Sequence, residues 1–267
     1  SQVKRLPPEE GRAVFLLVDR SGSMGAQGEK VYQDGEWKSE TKLEKLKKVT
    51  VPFIKKHPED LFGLVVFARK ADVLSPLTLD HAELISELLK VKPETENDKN
   101  GTAIGYALYK TAHLIQSGQA SGSPYKIVDP VIIILTDGLQ DPNRLDFANT
   151  YRTKGLEEAA RFAKEKGVRV YMVNMEPKLL EKEFAPNLKE MERATSMTGG
   201  KVVFAQGVEH VAEALKEIES LEKSVIDVPR PASKVEKVSF APCFIAMGLL
   251  FLICGYLAGE TWLRSLP

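Results

Sequence analysis

The sequence has almost no cysteine. Cys243 and Cys254 are the only two in 267 residues, and both fall in an apolar C-terminal segment. The residues ahead of that segment can therefore form neither a disulfide nor a thiolate metal site. Histidine is nearly as scarce. His57, His81, His113 and His210 stand apart, with no H-x-x-x-H or H-E-x-x-H spacing. That argues against zinc and leaves oxygen ligands for any metal. An excess of either charge is also missing: Lys plus Arg and Asp plus Glu both number 37, so the formal net charge is zero. With no basic stripe carrying interleaved aromatics, nothing points to nucleic acid as a partner. Neither Gly-x-Gly-x-x-Gly after the first apolar run nor a P-loop occurs, which removes the usual nucleotide cradles. The chain opens at Ser1 without an initiator Met or a signal-peptide pattern, as expected of a piece of a longer protein.

What is present is a globular pattern. Hydrophobic residues at 43% and charged residues at 28% argue against wholesale disorder, and the length allows one large domain or two small ones. Residues 13–18 (Ala-Val-Phe-Leu-Leu-Val) and 131–135 (Val-Ile-Ile-Ile-Leu) are continuous apolar runs, the mark of strands buried on both faces. Residues 62–67 and 73–77 read as an antiparallel pair, and 168–173 and 201–204 as further strands. Helical spacing appears around Leu43 to Ile54, Leu84 to Val91, Ile104 to Ile115, Leu156 to Ala163, Leu188 to Met197 and Val208 to Ile218. Pro52 is expected to kink or shorten the first of these. The lysines within residues 42–48 read as its solvated face. Alternating strands and helices imply an α/β fold, a mostly parallel sheet with helices on both faces.

This pattern fixes five regions: a lead-in at 1–10, one domain at 11–223, a linker at 224–239, an apolar helix at 240–259 and a tail at 260–267. The uncharged run from Ala241 to Ala258 is close to the length that crosses a membrane, and its Pro242, Gly248 and Gly255 are tolerated there. Trp262 and Arg264 then read as an interfacial anchor.

Hydroxyls and carboxylates gather where strands end. Asp19-Arg-Ser21-Gly-Ser23 follows the first apolar run, Asp137 follows the second in Leu-Thr-Asp-Gly, and Thr102 precedes the helix starting near Ile104. In an open α/β sheet, ligands bind outside the carboxyl ends of strands, where the strand order reverses. These residue types suit Mg²⁺ or Mn²⁺, which takes oxygen ligands in octahedral geometry and keeps some of its waters. Ser21, Ser23 and Thr102 are expected to ligate directly, and Asp19 and Asp137 through water. Neutral direct ligands leave the ion electrophilic, so an Asp or Glu from a protein partner can complete its shell. Asp34, Asp98 and Asp141 are internal acids that could do the same and mask the site.

These motifs resemble the metal-ion-dependent adhesion site (MIDAS) of von Willebrand factor A (VWA) domains. Gly63-Leu-Val-Val-Phe-Ala68, Pro76-Leu-Thr-Leu-Asp80, Gly101-Thr-Ala-Ile-Gly105, Thr198-Gly-Gly200 and Leu221-Glu-Lys223 are more narrowly similar to the bacterial, membrane-anchored Bat proteins. The resemblance implies a Rossmann-like, three-layer VWA fold with one antiparallel edge strand, a divalent ion at the five positions and no catalysis. It also implies an assembly with other Bat VWA proteins and a MoxR-type AAA+ ATPase, linked to aerotolerance and stress. Members similar to BatA carry two further membrane helices ahead of the domain, which this sequence does not include. Residues 25–41 form a longer and more polar connection than the family's, a large loop bearing Tyr32 and Trp37 and expected to add to the partner surface. The anchor is expected in the bacterial inner membrane. Arg230, Lys234 and Lys237 against Arg264 alone argue for a cytoplasmic domain. The family layout argues for a periplasmic one.

Two other readings compete. A metal-dependent hydrolase of the phosphatase type would also begin with an Asp at a strand end, but needs a second carboxylate two residues on, where this chain has Ser21. A metal-free structural scaffold would use the fold alone.

Overall fold

Apolar runs form the middle of the molecule because only a strand covered on both faces can bury every side chain. In a computed structural model, which describes residues 9–33, 36–120, 127, 130–205, 207, 210–222 and 224–226, β2 (Ala13–Asp19) is buried along its whole length. It pairs in parallel with β5 (Leu61–Phe67) on one side and β7 (Val131–Thr136) on the other. Beyond β7 lie β8 (Arg169–Asn174) and β9 (Val202–Phe204), both parallel, and beyond β5 lies β6 (Ala71–Thr78), antiparallel. The sheet order is β6-β5-β2-β7-β8-β9. The expected mostly parallel sheet with one antiparallel edge is what folds.

Alternation along the strands divides the core into two layers. Val14, Leu16, Val18 and Ile133 face α1 (Lys42–Lys56), α2 (His81–Lys90) and α6 (Val211–Leu221). Phe15, Leu17, Ile132 and Ile134 face α3 (Ile104–Ala120), α4 (Leu156–Glu165) and α5 (Ala185–Met197). One close approach locks a layer to the loops above it. A Cβ on Gly105, in the first turn of α3, would stand 2.2 Å from the Lys154 carbonyl oxygen, so only glycine fits there without moving backbone.

Three expectations are corrected. First, α1 is not shortened at Pro52 but continues to Lys56. An interior proline costs about 3 kcal/mol. Phe53 and Ile54, both buried just after it, return roughly 1.5–3 kcal/mol each, so burial wins. Second, residues 25–41 are not an irregular loop but mainly an antiparallel hairpin, β3 (Gln27–Gln33) and β4 (Glu36–Thr41), with Tyr32 paired to Trp37. Its polar sequence hid it, because a ribbon whose two strands pair only with each other is marked by no apolar period here. Third, the lysines at 42–48 are not all solvated. The Lys47 ammonium sits among the Leu89 and Val91 carbonyls, 3.0 Å from the former, and Lys42 donates to Asp137.

Short strands β1 (Glu9–Gly11) and β10 (Ser224–Ile226) pair with each other, so ordered pairing continues past both ends of the stretch read as the domain. Among the described residues no helix is long and apolar enough to cross a membrane. The expected span at 240–259 lies outside the described residues.

Candidate functional site

The strand order turns at β2. The chain moves from β2 to β5 and β6 on one side, then crosses back to β7 on the other. Loops leaving the carboxyl ends of β2 and β7 therefore diverge and leave a crevice. Asp19 is the last residue of β2, and Asp137 directly follows β7.

Asp19 is fully buried and acts as a brace. One oxygen accepts the Ser21 N–H at 2.7 Å, and the other accepts the Thr136 hydroxyl at 2.5 Å. Burial pushes its carboxyl up to about 6, with the Ser21 and Thr136 hydrogen bonds pulling down and the Asp137 charge pushing up. Ser21 caps the single turn Gly22–Gly25, whose buried Met24 anchors it to the core. The Ser21 and Ser23 hydroxyl oxygens lie 3.1 Å apart, and Ser23 donates to Asp137 Oδ1 at 2.7 Å. Ser23 is exposed while Ser21, Asp19 and Asp137 are buried, so this relay reaches solvent at Ser23.

Thr102 arrives from the loop before α3. Its N–H donates to Asp141 O at 2.7 Å and its carbonyl accepts the Asp141 N–H at 2.9 Å, an isolated bridge to the loop after β7. The Thr102 hydroxyl oxygen would stand 3.6 Å from a Cβ on Gly138, which places the threonine against the turn that follows Asp137. Gly101 makes this possible with a φ of +140°, a left-handed conformation open to glycine. Asn100 ties the two sides together, its side-chain oxygen accepting from Gly22 N at 2.8 Å and Gly101 N at 2.9 Å.

The structure thus joins Asp19, Ser21, Ser23 and Asp137 in one hydrogen-bonded chain and brings Thr102 against its far end. Among the described residues no three His, Cys, Asp or Glu side chains form a metal cluster. The oxygens offered here are hydroxyls and two carboxylates, the chemistry of a hard cation that retains water. Asp98 and Asp141 are exposed, and Asp34 lies outside the described residues.

Residues 14–140 match the sequence model of the von Willebrand factor type A domain. Over that stretch, a little under half of its length, the chain is similar to a VWA domain. Its fold is similar to that of the conserved hypothetical protein BatB from Bacteroides thetaiotaomicron (23% identity, TM-score 0.55, covering 79% of this chain and 98% of that one). It is similar to the same degree to an aerotolerance-related membrane protein from Bacteroides fragilis (21%, TM-score 0.55, 79% and 100%). An uncharacterized protein of Borreliella burgdorferi is 27% identical over 146 residues, which are 54% of this chain and 38% of that relative. This chain thus spans little more than a third of that relative's length.

Sequence reasoning missed Thr136, Asn100, Lys42 and Glu176 at this edge. Thr136 and Asn100 brace Asp19 and the Ser21–Ser23 turn, and the Asn-Gly pair at 100–101 was the available signal. Lys42 donates to Asp137 Oδ2 at 2.6 Å, and its ammonium lies 3.7 Å from Glu176. No local signal marks that contact, since 95 residues separate Lys42 from Asp137. The loop after β7 also carries Leu145, Phe147 and Tyr151, all more than 60% exposed, an apolar rim outside the bridge at Asp141.

Proposed function

We propose that this VWA domain binds Mg²⁺ or Mn²⁺ at its metal-ion-dependent adhesion site and uses it to recognise a carboxylate on a protein partner. Ser21, Ser23 and Thr102 would hold the ion directly and Asp19 and Asp137 through water. Once bound, the ion supplies an open coordination position and a localised positive charge. The chain's own residues prepare for it. Thr136 and the Ser21 amide fix the Asp19 carboxylate, and Asn100 holds the Gly22 and Gly101 amides in one register. The observation that carries the reading is the relay Asp19–Ser21–Ser23–Asp137 at the sheet's turning point, ending on an exposed hydroxyl.

The domain serves recognition in a membrane-associated Bat-type assembly with a MoxR-type ATPase, and the likeness to BatB and to an aerotolerance-related membrane protein supports the Bat-type part of that reading alone. The hairpin at residues 27–41 and the exposed Leu145 and Phe147 border the same edge and would form the rest of the partner surface. Isothermal titration with MnCl₂ tests the metal reading. Asp137→Ala is expected to weaken binding at least about 10-fold, the usual scale for residues that orient a metal shell. Unchanged affinity would remove Asp137 from the site. Hydrolysis of simple phosphate esters that depends on Asp19 would favour the phosphatase reading instead.

The metal-free scaffold reading has one specific observation in its favour: the Lys42 ammonium already balances the Asp137 charge.

A further inference from the structure

Lys42 is the first residue of α1, and its backbone has little freedom. Thr41 and Glu44 close a reciprocal capping box, with Glu44 N donating to Thr41 Oγ1 at 3.2 Å and Thr41 N to Glu44 Oε2 at 2.8 Å. The Lys42 N–H donates to Ala26 O at 3.2 Å, tying the helix start directly behind the Ser21–Ser23 turn. From this fixed base the side chain reaches Asp137.

The charges around it are unevenly placed. The Asp137 side chain is fully shielded from solvent, whereas that of Lys42 is 31% exposed and that of Glu176 is 29% exposed. The ammonium thus approaches the buried carboxylate from the solvent side and has a second carboxylate within 4 Å at the rim. Asp137 Oδ1 accepts from the Ser23 hydroxyl, and Oδ2 accepts from the Lys42 ammonium. Both oxygens are therefore committed. A divalent cation needs the same carboxylate, and it needs the Ser23 lone pairs, with that hydroxyl's proton still directed at an acceptor. Two cations cannot share so small a cluster without strong repulsion.

We propose that Lys42 is a tethered competitor for the divalent cation: it holds Asp137 in a charge-balanced pair that metal must displace, and so sets how much free metal the site requires. The inference rests on the metal reading above and adds to it a residue that opposes binding. Displaced from Asp137, the ammonium has Glu176 as its nearest alternative partner. A built-in counter-cation also explains how the same buried carboxylate is tolerated by a scaffold without metal, so the two readings become two charge states of one site.

The test compares Mn²⁺ and Mg²⁺ titrations of the 267-residue chain with those of Lys42→Met, Lys42→Gln and Lys42→Arg, with Asp137→Ala as the baseline. Removing the cation is expected to tighten Mn²⁺ binding by about 10-fold or more, within the usual range for coupled sites, while Lys42→Arg keeps the parental affinity. In chelator, Lys42→Met is expected to melt below the parent, because Asp137 is left unpaired, and saturating Mn²⁺ is expected to reverse the order. Equal or weaker Mn²⁺ affinity in both Lys42→Met and Lys42→Gln would overturn the role of Lys42 alone. Failure of parent and variants alike to bind above the Asp137→Ala baseline would overturn the metal reading and this inference together.

Discussion

Asp146 is buried between two arginines in the loop that follows β7. Arg69 donates to both its oxygens, at 2.6 and 2.9 Å, and Arg152 adds a third bond at 2.8 Å. The Arg69 hydrogen bonds, with burial working against them, hold the carboxyl below its ordinary range. In the unfolded chain an Asp titrates at about 4. A lowered native value means the stability from this group is complete above the unfolded value and is lost as pH falls toward the folded one. Asp146→Asn is therefore expected to melt below the parent at neutral pH, with the gap narrowing as pH drops below about 4. Circular dichroism melts across that range decide it, and a gap independent of pH would contradict the assignment. Asp146 and Asp137 make the same point at residue scale. A buried carboxylate is read correctly only with its cations, and neither Arg69 nor Lys42 is adjacent in sequence to the acid it serves.

Among the elements, α1 is where local propensity and packing disagree. Proline at position 52 removes the N–H that would bond the carbonyl one turn back, yet the helix continues because Phe53 packs edge-on against Phe62 with ring centres 5.8 Å apart and Ile54 is fully buried. The Pro52 side chain itself is exposed and contributes little to that packing. Pro52→Ala is accordingly expected to raise stability, by about 1–3 kcal/mol given the propensity difference, read as a shift in urea midpoint at unchanged slope. A loss of stability would mean that the helix has adapted to the proline and that its ring contributes to seating Phe53. The hairpin at 27–41 fails the sequence reading for the opposite reason. Its strands pair only with each other and their sequence is polar, so no apolar period marks them.

Across the whole molecule, what the sequence disclosed and what it concealed divide along burial. Residues 13–18 and 131–135 announced the two central strands because the sheet covers both their faces, and their order with the helices was enough for the α/β sheet and its antiparallel edge. Asp19, Ser21, Ser23, Thr102 and Asp137 were legible as candidates because each follows a strand or precedes a helix at the sheet's turning point. Their bracing was not. Thr136 under Asp19, Asn100 between two loops, and Lys42 on Asp137 depend on contacts between segments tens of residues apart. The same holds at the opposite end of the sheet, where buried Arg12 meets Asp60 at 2.6 Å without any motif to mark the pair.

One divalent ion is expected at this edge of the sheet, held by hydroxyls and not by a cluster of acids. Crystals grown or soaked with Mn²⁺ and measured near the manganese absorption edge test it most directly. A single strong anomalous peak is expected within ligand distance of the Ser21, Ser23 and Thr102 hydroxyls, with Lys42 turned away from Asp137. A map with no peak there, or with manganese only on exposed acids such as Asp98, would contradict it.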